Sequence, residues 1–137
     1  MYKVINLPEA KEQENFVQYL RLNAIPHFAI PNGGSRNRIE AANLKRQGVI
    51  AGVPDMMIPL PNKKYSGLFI EMKRKKGGVV SKYQKRWIEF LNKYGYKAVV
   101  CKGNEEAINA VQEYLDDRGF LQKFKDYKAD FKEILRG

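Results

Sequence analysis

The sequence predicts an α/β domain, a mixed sheet flanked by helices, and three observations point that way. Two short apolar runs, 52–60 and 67–73, are each bounded by Gly or Pro, the punctuation expected of strands. Segments with apolar residues at three- and four-residue spacing lie before, between and after the strand candidates, as amphipathic helices would. The 137 residues, 44% of them hydrophobic, suit one globular domain with its own core. In chain order the predicted elements run helix, strand, helix, strand, strand, helix, strand, helix, which fits a mixed sheet covered by helices.

The first helix is predicted from Pro8 to Asn23, with Phe16, Val17 and Leu20 on one face. Extending that face backwards reaches Gln13 and then Glu9; Glu12 lies at its flank and Glu14 points away. Acids in a first helical turn are also what the helix dipole favours on its own. A strand over 25–30 ends at Pro31-Asn32-Gly33-Gly34. Ser35 or Asn37 can cap a second helix running to Gln47, where Gly48 is a suitable stop. That helix and its approach carry Arg36, Arg38, Lys45 and Arg46 against Glu40 alone. The Gly-Gly turn offers free backbone N–H groups beside Arg36, a phosphate contact, or else it is a plain loop leading into a solvated helix.

The two central strands are joined by 61–66, a polar connection of hairpin length. Side chains alternate along a strand, so Glu71 and Lys73 share one face and Met72 takes the other. Antiparallel pairing sets Asp55, at the start of the first strand, beside Glu71 and Lys73. Two carboxylates and an ammonium at one sheet edge are costly to bury without a purpose. A divalent cation with oxygen preference is the usual remedy for crowded carboxylates. A lysine beside it can orient a water or steady negative charge on a phosphate. The bland alternative is a surface ion pair of Glu71 with Lys73 or Lys64.

Beyond Lys73 no acid occurs before Arg86, and the run includes Arg74, Lys75, Lys76 and Lys82. Gly77 and Gly78 mark a mobile loop here. With a formal net charge of +10, this patch favours a polyanionic partner, held by contacts that weaken steeply with salt. Ser81 can cap the next helix, whose Gln84, Trp87, Ile88 and Leu91 line one face. The last three are expected in the core, with base stacking the alternative for Trp87. A strand over Lys97–Lys102 follows, then a helix capped by Asn104 with Ala107, Ile108, Val111 and Leu115 inward. The predicted domain spans 1–117. From 118 to 137, Phe120, Phe124, Tyr127 or Lys128, Phe131 and Leu135 recur at helical spacing, a tail that covers the core or forms a dimer interface.

A single cysteine, Cys101, excludes an internal disulfide, and a single histidine, His27, excludes a His-rich zinc site. No apolar run reaches membrane-span or signal-core length, so a soluble intracellular protein is expected. No Gly-x(4)-Gly-Lys-Ser/Thr loop occurs, so no nucleotide cofactor is expected. No aromatic pattern on a sheet face favours RNA.

Pro54-Asp55 followed by Glu71-Met72-Lys73 resembles the motif of the PD-(D/E)XK nuclease superfamily. More closely, five blocks in order resemble the virus-type replication-repair nuclease (VRR-NUC) family: Ile30–Gly34, Gly48–Asp55, Leu68–Lys73, Ser81–Trp87 and Gly95–Val100. The similarity spans about residues 9 to 115. It implies a restriction-endonuclease-like core and a DNA endonuclease dependent on Mg²⁺ or Mn²⁺. Asp55, Glu71, Glu9 and the Met72 carbonyl would hold the metal, with Gln13 beside Glu9 and Glu12 in reserve. Lys73 and Gln84 would align the attacking water. Asn32, Gly33, Gly34, Arg36, Arg74, Lys75, Lys76 and Lys82 would contact DNA. Relatives act on branched DNA, and small stand-alone members resemble Holliday-junction resolving enzymes that work as homodimers; compact versions resemble phage proteins. A nonspecific or flap nuclease is the alternative within the same chemistry. A non-catalytic basic DNA-binding module is the alternative outside it.

Overall fold

Among the described residues four strands, β1 (Phe28–Ala29), β2 (Met56–Ile58), β3 (Leu68–Lys73) and β4 (Lys97–Lys102), form one sheet in the order β1-β2-β3-β4. The computed structural model describes residues 3–31, 37–116 and 122–137. Pairing is antiparallel between β1 and β2 and between β2 and β3, and parallel between β3 and β4. The mixed sheet is therefore as the residue pattern predicts. β2 is shorter than the apolar run that announces it because Pro54 and Pro59 bracket it, and proline has no N–H to give a ladder. Pro26 likewise trims β1, although the Ile30 N–H still reaches the Asp55 carbonyl at 2.8 Å.

Alternation divides the sheet into two unlike faces. Met56, Ile58, Leu68, Ile70 and Met72 point to one side and are buried. They meet Phe16 and Leu20 of α1 (Glu9–Leu22) and Ala107, Val111 and Tyr114 of α4 (Asn104–Tyr114) in a single core. The other face carries Met57, Phe69, Glu71 and Lys73, and α3 (Lys82–Lys93) lies against it. The parallel β3–α3–β4 crossover puts α3 there, fastened by Asn92, whose side chain bonds both the N–H and the carbonyl of Ala98. Gln84, Trp87 and Ile88 are only half-buried and Leu91 alone on α3 is buried, which corrects the expectation of a core-facing Trp87.

α2 (Arg38–Arg46) is a surface helix with no buried residue, capped by Asn37, whose side chain accepts the Glu40 N–H at 2.7 Å. α4 departs from its predicted cap. Gly103, at φ 90°, holds the cap position, and Asn104 is the first helical residue. The capping oxygen comes from α1 instead: Glu12 Oε1 accepts from the Asn104 N–H at 3.1 Å and from its Nδ2 at 2.6 Å.

At the C-terminus a 3₁₀ turn (Gln122–Phe124) precedes α5 (Tyr127–Arg136). Phe131 is buried edge-on to His27, with ring centroids 5.2 Å apart, while Ile134 and Leu135 are exposed. His27 is thus a packed residue, its Nδ1 2.8 Å from the Ile25 carbonyl oxygen, and burial lowers its pKa. Phe120 lies outside the described residues. Among the described residues no helix is long and apolar enough to cross a membrane.

Candidate active site

The register that pairs Met56 with Ile70 sets Asp55, one residue earlier, opposite Glu71, one residue later. Asp55 Oδ2 accepts the Met72 N–H at 2.7 Å, so its carboxylate is tied to the end of β3. A strand residue sends its N–H and C=O to the same side. The Met72 carbonyl therefore also points towards Asp55, whereas that of Lys73 points the other way and accepts from the Gly103 N–H at 2.8 Å. Strand pairing thus sets Asp55 beside Glu71 and turns the Met72 carbonyl to the Asp55 side of β3.

Glu71 is 1% exposed and Lys73 7%. Their ion pair, 3.6 Å from Lys73 Nζ to Glu71 Oε1, is buried, so the surface-pair alternative does not hold. Glu71 Oε1 also accepts from Gln84 Nε2 at 2.8 Å, whereas Oε2 is buried with no donor in reach. Burial and then the Asp55 charge push the Glu71 carboxyl up to about 8. The Lys73 ammonium pulls the other way; a hydrogen bond with Asp55 and, last, the Glu9 charge add to the rise. A buried carboxyl that resists ionisation beside a second carboxyl marks a place short of positive charge.

Gln84 is held as well as holding. It is the N3 residue of a capping box: its Oε1 accepts the Ser81 N–H at 2.8 Å while the Ser81 hydroxyl accepts the Gln84 N–H at 3.2 Å. Both ends of the amide are used, so the side chain is fixed with Nε2 towards Glu71. The start of α3 comes this close because Gly52 has no side chain. At φ 90°, a Cβ on Gly52 would lie 2.6 Å from the Tyr83 carbonyl carbon. That contact joins the loop before Asp55 to the helix bearing Gln84, and nothing in the residue pattern but the glycine itself announces it. A cleft of about 870 Å³ opens beside it, between α2 and the start of α3, lined by Leu44, Lys45, Val49, Gly52, Tyr83 and Gln84 among others.

The first-helix candidates separate. Glu9, at the start of α1, is near enough for its charge to be felt at Glu71, as the smallest contribution. Gln13, one turn on, donates from its Nε2 to Met56 Sδ at 3.5 Å. Glu12, the reserve candidate, is buried and committed to the start of α4. Among the described residues no three His, Cys, Asp or Glu side chains gather as a ligand set. Two carboxylates and a carbonyl still fit Mg²⁺, which keeps several waters and takes one or two carboxylates. The chemistry of the donors and the unpartnered Glu71 oxygen agree with such an ion.

Of the expected DNA contacts, Asn32, Gly33, Gly34 and Arg36 lie outside the described residues. Arg74 donates to the Gly77 carbonyl at 3.1 Å, and Lys75 pairs with Glu105 at 3.5 Å. The backbone of Lys76 bonds Asn6 through both its N–H and its carbonyl, each at 3.1 Å. The glycine loop expected to be mobile is therefore tied to the N-terminal segment, a contact 70 positions away in sequence. Lys82 is exposed, its Nζ 5.3 Å from the Tyr83 ring centre.

No curated protein matches the chain. A solved structure described as a VRR_NUC domain protein is similar at a TM-score of 0.69 and 32% identity, over 81% of this chain and 90% of that one. The family model of the VRR-NUC domain matches residues 5–105, most of the chain, and takes in every member of the Asp55, Glu71, Lys73 and Gln84 group. With that match and a mixed sheet of the restriction-endonuclease-like kind, the chain belongs to the VRR-NUC family of nucleases.

Proposed function

We propose that the protein is a divalent-metal-dependent DNA endonuclease. The observation that supports this most is the pairing of half-buried Asp55 with buried Glu71, with one Glu71 oxygen left without a donor. Asp55, Glu71 and the Met72 carbonyl would hold Mg²⁺ or Mn²⁺, with Glu9 lending charge from the start of α1. When bound, the ion supplies Lewis acidity towards a phosphodiester oxygen and a water.

The chain's own residues do the rest. Lys73, buried and 3.6 Å from Glu71, presents an ammonium that can hold a water or steady charge on a non-bridging oxygen. Gln84 keeps Glu71 in one rotamer through its capping-box amide, so the carboxylate does not swing away when it ionises. Lys45 on the far wall of the cleft and Lys82 near the start of α3 offer charge for the phosphates on either side. Hydrolysis in this arrangement is an in-line attack of water on phosphorus, with the leaving oxygen departing opposite.

A structure-specific substrate, a Holliday junction or other branched DNA, is the form the family resemblance supports. A homodimer cutting two strands symmetrically would accompany it, and the exposed Ile134 and Leu135 on α5 provide an apolar surface for a second copy.

Incubating labelled four-way junction, flap and duplex DNA with Mg²⁺, Mn²⁺ or EDTA tests the reading. Cutting is expected with metal only and fastest on branched DNA. Glu71→Ala and Lys73→Ala should abolish it while leaving binding largely intact. Metal-independent binding with no cutting under any condition would favour the basic binding module instead.

A further inference from the structure

The outward side of α3 carries an aromatic stripe that the chemistry above does not use. Tyr83, Trp87, Phe90 and Tyr94 recur at steps of four, three and four, one line along a helix. Tyr83 is 49% exposed, Phe90 52% and Tyr94 59%, with Trp87 half-buried between them. Three of the rings touch: Trp87 meets Phe90 edge-on at 5.6 Å and Phe90 meets Tyr94 at 4.8 Å. Arg86, Trp87 and Phe90 line a shallow hollow of about 310 Å³. Lysines sit at both ends, Lys82 5.3 Å from the Tyr83 ring centre and Lys93 5.4 Å from that of Tyr94.

Exposed contiguous aromatics mark a contact surface, and charge decides which partner it suits. The helix bears Lys82, Lys85, Arg86 and Lys93 against Glu89 alone. A symmetric dimer through this face would set that excess against itself, since such an interface apposes a patch to its own copy. A polyanion meets no such repulsion. Flat rings interleaved with cations suit an unpaired nucleic-acid strand, whose bases stack while its phosphates pair with the charges. The stripe begins at Tyr83, next to Gln84, which bonds Glu71. From there it runs roughly 16 Å along the helix to Tyr94, the length of about four to five nucleotides.

We propose that the outer face of α3 is a stacking platform for the unpaired strand of a DNA substrate, leading away from the Asp55–Glu71 centre. This rests on the nuclease reading for the identity of the nucleic acid. It adds that the substrate carries a single-stranded segment beside the bond that is cut.

Trp87 is the only tryptophan in the chain, so its fluorescence reports this face directly. The protein in EDTA is titrated with a short oligothymidylate and with a blunt duplex of equal phosphate count. Quenching of Trp87 by the oligothymidylate, and little by the duplex, is expected. Phe90→Ala, at an exposed ring, should weaken oligothymidylate binding about tenfold, and Phe90→Tyr should restore it. Trp87 emission unchanged at saturating oligonucleotide, or Phe90→Ala binding as tightly as the unaltered protein, overturns the platform. A concentration-dependent change in Trp87 emission without DNA, lost in Phe90→Ala, also overturns it and assigns the face to a second copy. The metal-dependent cutting assay run alongside separates the two readings. A silent Trp87 with Glu71-dependent cutting sinks the platform alone, and quenching without any cutting sinks the nuclease and upholds the platform.

Discussion

Glu12 and Glu71 are the same residue type at the same depth, 0% and 1% exposed, and each leaves one oxygen without a donor. What differs is the company. Glu12 looks at the N-terminus of α4, where Asn104 gives it two hydrogen bonds and unpaired helical N–H groups supply partial positive charge. Glu71 looks at Asp55, a second carboxylate, with the Lys73 ammonium and the Gln84 amide to offset the repulsion, and its carboxyl is pushed up to about 8. One buried acid completes the fold, and the other leaves a demand that a cation would meet. Depth alone does not make a site; the sign of the neighbouring charge does.

The comparison breaks most visibly in activity. Glu71→Ala should remove catalysis, a loss of a thousandfold or more in kcat on the scale of lost transition-state electrostatics, at about 10²–10³ per group together with loss of the metal. Glu12→Ala should leave cutting per folded molecule nearly unchanged. Its cost appears in stability instead, about 1–3 kcal/mol for a lost cap and stranded N–H groups. Denaturant melts of both variants beside the cutting assay check this. Equal losses of activity in the two would erase the distinction drawn between them.

A smaller effect follows from pH. The Glu71 carboxyl titrates at about 4.5 when unfolded and about 8 when folded. Between those values the folded protein binds the extra proton, so stability falls as pH rises. The contribution is complete below about 4.5 and lost as pH passes through about 8. Metal-free protein should therefore melt lower at pH 9 than at pH 6, and Glu71→Gln, which cannot ionise, should flatten that slope. A Glu71→Gln slope as steep as the unaltered protein's would place the titrating group elsewhere.

The two acids also differ in how far the sequence reveals them. Asp55 and Glu71 are legible because Pro54, Pro59 and Gly67 delimit two neighbouring runs and a short connection leaves one natural pairing. Strand parity then puts Glu71 and Lys73 on one face. Glu12 is not legible, since its partner Asn104 is 92 positions away and no periodicity within α1 announces a cap for another helix. For the same reason Asn104 reads as its own cap. The contact of Gly52 with Tyr83, the tie of Asn6 to Lys76 and the exposure of Trp87 are likewise long-range outcomes. The apolar spacing of α3 shows a face without showing how little of that face the sheet covers.

A cation site formed by Asp55 and Glu71 can be measured without reference to cutting, by titrating Mn²⁺ into the metal-free protein by calorimetry at pH 7 in buffers of different ionisation heat. One site per chain is predicted, with a proton released on binding because burial and the Asp55 charge raise the Glu71 carboxyl's pKa. Glu71→Gln should lose both the binding and the proton. Undiminished Mn²⁺ binding in Glu71→Gln, or no binding in the unaltered protein, would contradict the account.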